Sequence, residues 1–301
     1  MQQNLLLTQL KDYYLNRCKH TTRIDTYAYY KKHLSVIVNY LVSINVKSTS
    51  DISNDTLYNF IENQKNKGLK NNTINKRLAT LKQALRYCEK QELITVNPMC
   101  NFDLLSRDDV ETVTIDKSIL YSILTYFETE AKTPLLLRSK VITYILLDTG
   151  IRLNELRELR VNDLKIYKNQ INLKYTKTNR HRTVFLTDNT VSIIEEYLKV
   201  VEPTDYLIVN ITTKEKLSRY GMYKFFDEIK RKLNIPTNVS LSFHKFRHTY
   251  ATLCLEHGAS LEFIRKTLGH SDITTTQKYL HLSNNKLRTE HNMCSPVNLL
   301  I

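Results

Sequence analysis

Residues 241–281 read LSFHKFRHTYATLCLEHGASLEFIRKTLGHSDITTTQKYLH, and the spacing within this stretch decides how the chain is to be read. His244, Arg247 and His248 recur at steps of three and four, which puts them on one face of a helix. Phe246, Tyr250 and Leu253 recur at the same interval on another face and are expected in the core. Gly258 stops that helix by allowing a left-handed turn. A second short helix is expected from Leu261 to Leu268; it ends at Gly269, with His270 on the turn. Ser271 or Asp272 then caps a third helix with a stripe of Ile273, Thr276, Gln277 and Leu280. Tyr279 lies about 100° round from Leu280 and need not be core. Three consecutive short elements thus present histidines, an arginine and a phenol. That set suits an anion with a hydroxyl nucleophile beside it.

The chain around this stretch has 301 residues, 42% of them hydrophobic, enough for two domains with separate cores. Only five Gly and five Pro occur, which favours long helices over a sheet-rich fold with many tight turns. The formal charge of +14 and pI of about 9.4 point to a polyanionic partner, because the basic residues fall on particular helix faces. Five scattered cysteines without a CxxC pair fit a reducing, cytoplasmic compartment. The N-terminal MQQNLLLTQLKDYY lacks the basic and long apolar regions of a signal peptide, and no stretch approaches a membrane span.

The expected fold is mainly α with a small antiparallel β-sheet. Residues 1–95 read as four helices. The first runs from Leu5 to about Asn16; Thr22 with Asp25 resembles a capping box opening the second, whose stripe is Ile24, Tyr27, Leu34, Ile37, Val38 and Leu41. Ser53 caps the third, which turns Leu57, Phe60 and Ile61 inward. The fourth, from about Asn72 to Lys90, turns Ile74, Leu78, Leu81, Leu85 and Cys88 inward and carries Lys82, Arg86 and Lys90 at steps of four. Like charges so spaced repel. They mark either a solvated face or a ladder of phosphate contacts. Residues 96–113 break the periodicity, with Pro98 forbidding a helix, and read as an interdomain linker. Residues 114–283 form the second domain. It opens with helices over Ile115–Phe127 and Leu135–Leu147, then Gly150 and a short helix bearing Arg152 and Glu155. Strand signals follow at Asp163–Ile166, at Ile171, Leu173 and Tyr175, and at Val184 and Leu186. The turn between the last two strands holds Lys177, Asn179, Arg180 and His181, a basic tip suited to lie beside nucleic acid. Helices at about Asn189–Val200 and Ser218–Leu233 lead back to the opening stretch. A tail, 284–301, ends in apolar Val297, Leu299, Leu300 and Ile301.

Transfer at a phosphodiester needs an in-line nucleophile, cations on the non-bridging oxygens and a proton for the leaving oxygen. Arg152 and Arg247 suit the second task, because the guanidinium is a planar fork that stays protonated. His244, His270 and Lys177 suit proton transfer. Tyr279 suits attack on phosphorus, and a covalent phosphotyrosine would store the bond energy without ATP.

Arg152 in TGIRLNEL, Lys177 in TKTNRHRTVFL, the HKFRH run, His270 closing LGH and Tyr279 nine residues on stand in the active-site order of one family. The chain resembles the tyrosine recombinase (phage integrase, Xer-like) family. The resemblance is strong from Tyr144 to His281 and looser over the first four helices, which resemble the family's DNA-binding core-binding domain. It implies that Arg152 and Arg247 bind phosphate and that Lys177 protonates the departing 5′ oxygen. It gives His244 the tyrosine's proton and makes His270 a donor to the scissile phosphate. Tyr279 would be the nucleophile, leaving a 3′-phosphotyrosyl link, and Glu155 would help hold the site together. Lys174 lies near Lys177, and the match of the following Arg-Thr-Val-Phe-Leu run selects Lys177; Thr176 and Thr178 stand where the family often has glycine. No metal or other cofactor belongs to this chemistry. The implied partner is double-stranded DNA carrying a recombination site, bound by a homotetramer on paired sites, with accessory DNA-bending proteins as a further partner class. Lys82, Arg86, Lys90 and Arg180 become DNA-contact candidates, and the tail a segment docked in its own domain or exchanged between protomers.

Duller readings exist for each residue. His244 with His248, and His257 with Cys254, have metal-ligand spacing, but no third and fourth ligands accompany them. Arg152 could simply pair with Glu155 or Glu158, and His270 could only cap a helix. Together these readings require six coincidences in one order. Two rival functions remain: relaxation of DNA by a type IB topoisomerase-like activity, and sequence-specific DNA binding without catalysis.

Overall fold

The computed structural model describes residues 4–106, 108, 114–174 and 181–270. It divides into two compact units, Met1–Val110 and Glu111–Ile301.

The first unit holds the four expected helices: α1 (Leu7–Thr21), α2 (Ile24–Ser43), α3 (Asn54–Asn66) and α4 (Asn71–Lys90). Their apolar stripes meet in one core that includes Leu10, Leu34, Ile37, Leu57, Phe60, Ile74, Leu78 and Leu81. Ser53 caps α3 by accepting from the Thr56 amide at 3.3 Å. Two local expectations are corrected. Thr22 does not open α2; its hydroxyl donates to the Cys18 carbonyl at 2.7 Å, beside the bond from its own amide to the same carbonyl (3.0 Å), and so closes α1. Ile24 is 86% exposed, since it sits in the first turn of α2, outside the helix's buried stripe. Beyond α4 the chain stays with this unit: Ile94, Met99 and Phe102 are buried in its core. Asn75 fastens the segment at both ends of its amide, donating to the Leu105 carbonyl (2.8 Å) and accepting from the Leu105 amide (2.9 Å). Residues 96–105, read from the sequence as linker, are thus packed on α4.

The second unit runs α5 (Lys117–Glu130), α6 (Pro134–Thr149), α7 (Leu153–Glu158), β1 (Leu164–Lys165), β2 (Gln170–Leu173), β3 (Arg182–Phe185), α8 (Asp188–Val201), α9 (Arg219–Lys232), α10 (Phe243–Glu256) and α11 (Leu261–Leu268). The three strands form an antiparallel sheet in the order β1-β2-β3, with Leu164 opposite Ile171 and Leu173 opposite Arg182. Helix α6 is the unit's axis. Leu137, Val141, Ile142, Ile145 and Leu146 are buried on it, as are Arg138, Ser139 and Lys140, so it is surrounded by protein. Phe243 and Phe246 of α10 meet Phe226 of α9, with ring centroids 4.7 and 5.6 Å apart. A hydrogen bond from the Ile115 amide to the Thr249 hydroxyl (2.9 Å) ties the start of the unit to the same helix. Among the described residues no helix is long and apolar enough to cross a membrane.

Candidate active site

Helix α10 starts at Ser242, whose hydroxyl accepts from the Lys245 amide at 3.2 Å. That start fixes the phase of the helix. Phe246 goes into the core, His244 is exposed, and Arg247 is buried at 4% exposure. A buried guanidinium needs acceptors, and the Arg247 Nη1 and Nη2 donate to the carbonyls of Gly150 (2.8 Å) and Leu268 (2.6 Å). Gly150 ends α6 in the left-handed region, at φ 58°. A Cβ there would lie 2.5 Å from Tyr250 Cδ1 and 2.8 Å from Leu268 Cδ2. Glycine alone lets the backbone come close enough to present that carbonyl.

Arg152 follows as the N-cap of α7. Its amide donates to Glu155 Oε2 (2.8 Å), its Nη1 to Glu155 Oε1 (3.0 Å) and its Nη2 to the Gly269 carbonyl (3.2 Å). Arg182, the first residue of β3, grips both Glu155 oxygens at 2.8 Å and donates from Nε to the Thr267 carbonyl at 2.7 Å. Three consecutive carbonyls at the end of α11, those of Thr267, Leu268 and Gly269, therefore each accept from a different arginine. The last turn of a helix leaves carbonyls unpaired and carries the negative end of the dipole. Here that turn is what gathers Arg182, Arg247 and Arg152, and His270 follows it.

The cations act on their neighbours. Burial would raise the Glu155 carboxyl, but Arg182 and then Arg152 outweigh it and hold the group below its ordinary value. His270, buried at 9% exposure, is pushed down to about 4, by desolvation first and then by Arg247, Arg152 and Arg182. It is a neutral imidazole at pH 7, with one N–H to donate. The His244 imidazole is also lowered, by desolvation and then by Arg247 and Arg152. A phosphate entering this field would meet positive charge on several sides.

Five of the residues expected at the site, Arg152, Glu155, His244, Arg247 and His270, are thus brought together. Lys177, Arg180 and Tyr279 lie outside the described residues. Lys174, the neighbour of Lys177, forms an ion pair with the buried Asp163 at 2.6 Å. His257 Nδ1 donates to the Leu253 carbonyl at 2.8 Å, closing α10. Lys82, Arg86 and Lys90 belong to the first unit. Arg86 and Lys90 are exposed, whereas the Lys82 ammonium donates to the Phe102 carbonyl at 2.8 Å. Reading the sequence overlooked Arg182. The signal was present, since Arg182 is two residues from buried Val184 and so shares its face of the strand.

Residues 114–286 match the model of the phage integrase family, and residues 8–92 match the phage integrase N-terminal SAM-like domain. The chain is similar to a tyrosine recombinase XerC of Herpetosiphon aurantiacus, 31% identical over 271 residues, covering 87% of this chain and 86% of that protein. It is also similar to a XerC of Staphylococcus carnosus, 31% identical over 236 residues, covering 76% and 77%. Among solved structures, the fold matches the Tn1549 transposon integrase in complex with transposon right end DNA at a TM-score of 0.77, with 19% identity and coverage of 97% and 100%. It matches the XerH site-specific recombinase bound to palindromic difH substrate at 0.76, with 20% identity and coverage of 95% and 84%.

Proposed function

The chain belongs to the phage integrase family and is a site-specific DNA recombinase that breaks and rejoins strands; on that premise we propose that Tyr279 is its nucleophile and the arginine cluster its phosphate site. In this reading Arg152 and Arg247 neutralise the non-bridging oxygens of the scissile phosphate, and His270 donates its N–H to the same group. The Tyr279 oxygen bonds to phosphorus as its proton passes to His244. The bond from phosphorus to the 5′ oxygen breaks, and Lys177 protonates that oxygen. The products are a 3′-phosphotyrosyl link and a 5′-hydroxyl, and reversal by a new 5′-hydroxyl rejoins the strand. Proton and charge balance without a metal or ATP. The observation that carries this reading is the convergence of Arg152, Arg247 and His270 on the last turn of α11.

The reading extends to the whole chain. Residues 1–95 would act as the core-binding domain, with Arg86, Lys90 and, through its remaining N–H groups, Lys82 on the DNA backbone. Residues 114–283 would act as the catalytic domain, with 96–113 between them and Arg180 at the DNA. Four protomers would join two duplexes, the tail 284–301 docking in its own domain or in a neighbour, with DNA-bending proteins assisting in the cytoplasm. The test uses a duplex enriched on the full chain from a random-sequence pool and nicked beside the cleavage point. The native chain should form a covalent protein–DNA adduct, and Tyr279→Phe should form none while still binding. An equal adduct yield from the variant would remove Tyr279 from its role.

A further inference from the structure

We infer that Arg182 is a positioning residue for the strand-cleavage reaction: it neutralises Glu155 so that the charge of Arg152 stays available to the phosphate. The inference rests on the proposed role of Arg152. Glu155 is buried at 3% exposure and lies between two guanidiniums, those of Arg152 and Arg182. A buried carboxylate facing only Arg152 would cancel its charge and draw it away from an incoming anion. With Arg182 on both carboxylate oxygens at 2.8 Å, the three groups keep one net positive charge. Arg152 then needs only one side-chain bond to Glu155, from Nη1, and its exposed fraction is greater than that of Arg182, 24% against 11%. Arg182 is therefore the structural member of the pair and Arg152 the one accessible to a ligand.

Strand register fixes where Arg182 stands. Arg182 pairs with Leu173 at the end of the β2–β3 ladder. Its Nε is bonded to the Thr267 carbonyl, and the turn at Gly269 leaves room for it: a Cβ on that glycine would come 3.0 Å from the Arg182 Nη1. One side chain thus joins the start of β3, the acidic residue of α7 and the end of α11, the elements that set the positions of Arg152 and of the approach to His270.

Adduct formation on the nicked duplex described above tests the inference, with the scissile phosphate in its normal form or as an uncharged methylphosphonate. Arg182→Gln should slow cleavage of the normal diester by about a hundredfold, the scale of losing one preorganised donor to the transition-state charge. It should slow cleavage of the methylphosphonate much less, since that centre has less need of positive charge. Adding Glu155→Gln to Arg182→Gln should recover part of the rate on the normal diester, because the unbalanced carboxylate is gone. Arg182→Lys, which keeps the charge and loses the fork, should fall between the native chain and Arg182→Gln. Equal losses on the two substrates, or a double variant no faster than Arg182→Gln, would overturn the inference. If the native chain formed no adduct at all, the nucleophile assignment itself would fall instead.

Discussion

The cations of the second unit and those of α4 differ in how they are held. Arg152, Arg182 and Arg247 are bonded to carbonyls or to a buried carboxylate of the protein itself. Arg86 and Lys90 extend from an exposed face, and among the described residues Lys82 of that row bonds to the Phe102 carbonyl. The two arrangements suit different tasks. Charge that must stabilise a transition state is most effective when it needs no reorganisation. Charge that contributes affinity along a phosphate backbone works through counterion release and tolerates mobile side chains.

Substitutions can break that contrast, and the largest effect is expected at the arginine cluster. Gly150→Ala would force a Cβ against Tyr250 and Leu268 in a left-handed backbone. A loss of about 2–4 kcal/mol is expected from overpacking and backbone strain, along with a displaced Arg247 acceptor. Urea unfolding followed by circular dichroism measures it, and a loss below about 0.5 kcal/mol would mean that the turn can relax.

A smaller effect concerns pH. The folded-state pKa of His270 is depressed from its ordinary 6.5 to about 4. Between these values the unfolded chain binds more protons than the folded one, so stability falls as pH falls through that window. His270→Gln should remove this contribution, flattening the pH dependence of stability by roughly 1–3 kcal/mol between pH 6.5 and 4. An unchanged profile would show that another group sets the acid limb. The smallest effect is expected on α4. Arg86→Ala should leave stability within about 0.5 kcal/mol and lower the slope of DNA affinity against salt by about one. An unchanged slope would place Arg86 off the DNA and weaken the contrast between the units.

The same contrast explains what could be read in the sequence. Helices α2, α4, α10 and α11 were legible because their buried residues recur at the helical interval, and His244 and Arg247 were legible because one helix carries both. Residues Met99 and Phe102 are also buried, but without a period they looked like linker. Thr22 was misassigned because one hydroxyl can reach back to α1 as readily as forward to α2. The bond from Lys82 to the Phe102 carbonyl was not legible because it spans twenty residues. The tie from Arg182 to Glu155 spans 27 residues, and the one to Thr267 spans 85. Such contacts are made by topology, and local spacing does not encode them.

Three arginines from distant parts of the chain share neighbouring peptide units at the end of α11. Adjacent Cα atoms are about 3.8 Å apart whatever side chains they carry. The spacing of the three carbonyl acceptors is therefore set by a ruler made of main chain. Apolar residues around the bend can be exchanged for others of similar bulk without respacing those acceptors, and a shift of the bend would move all three acceptors together.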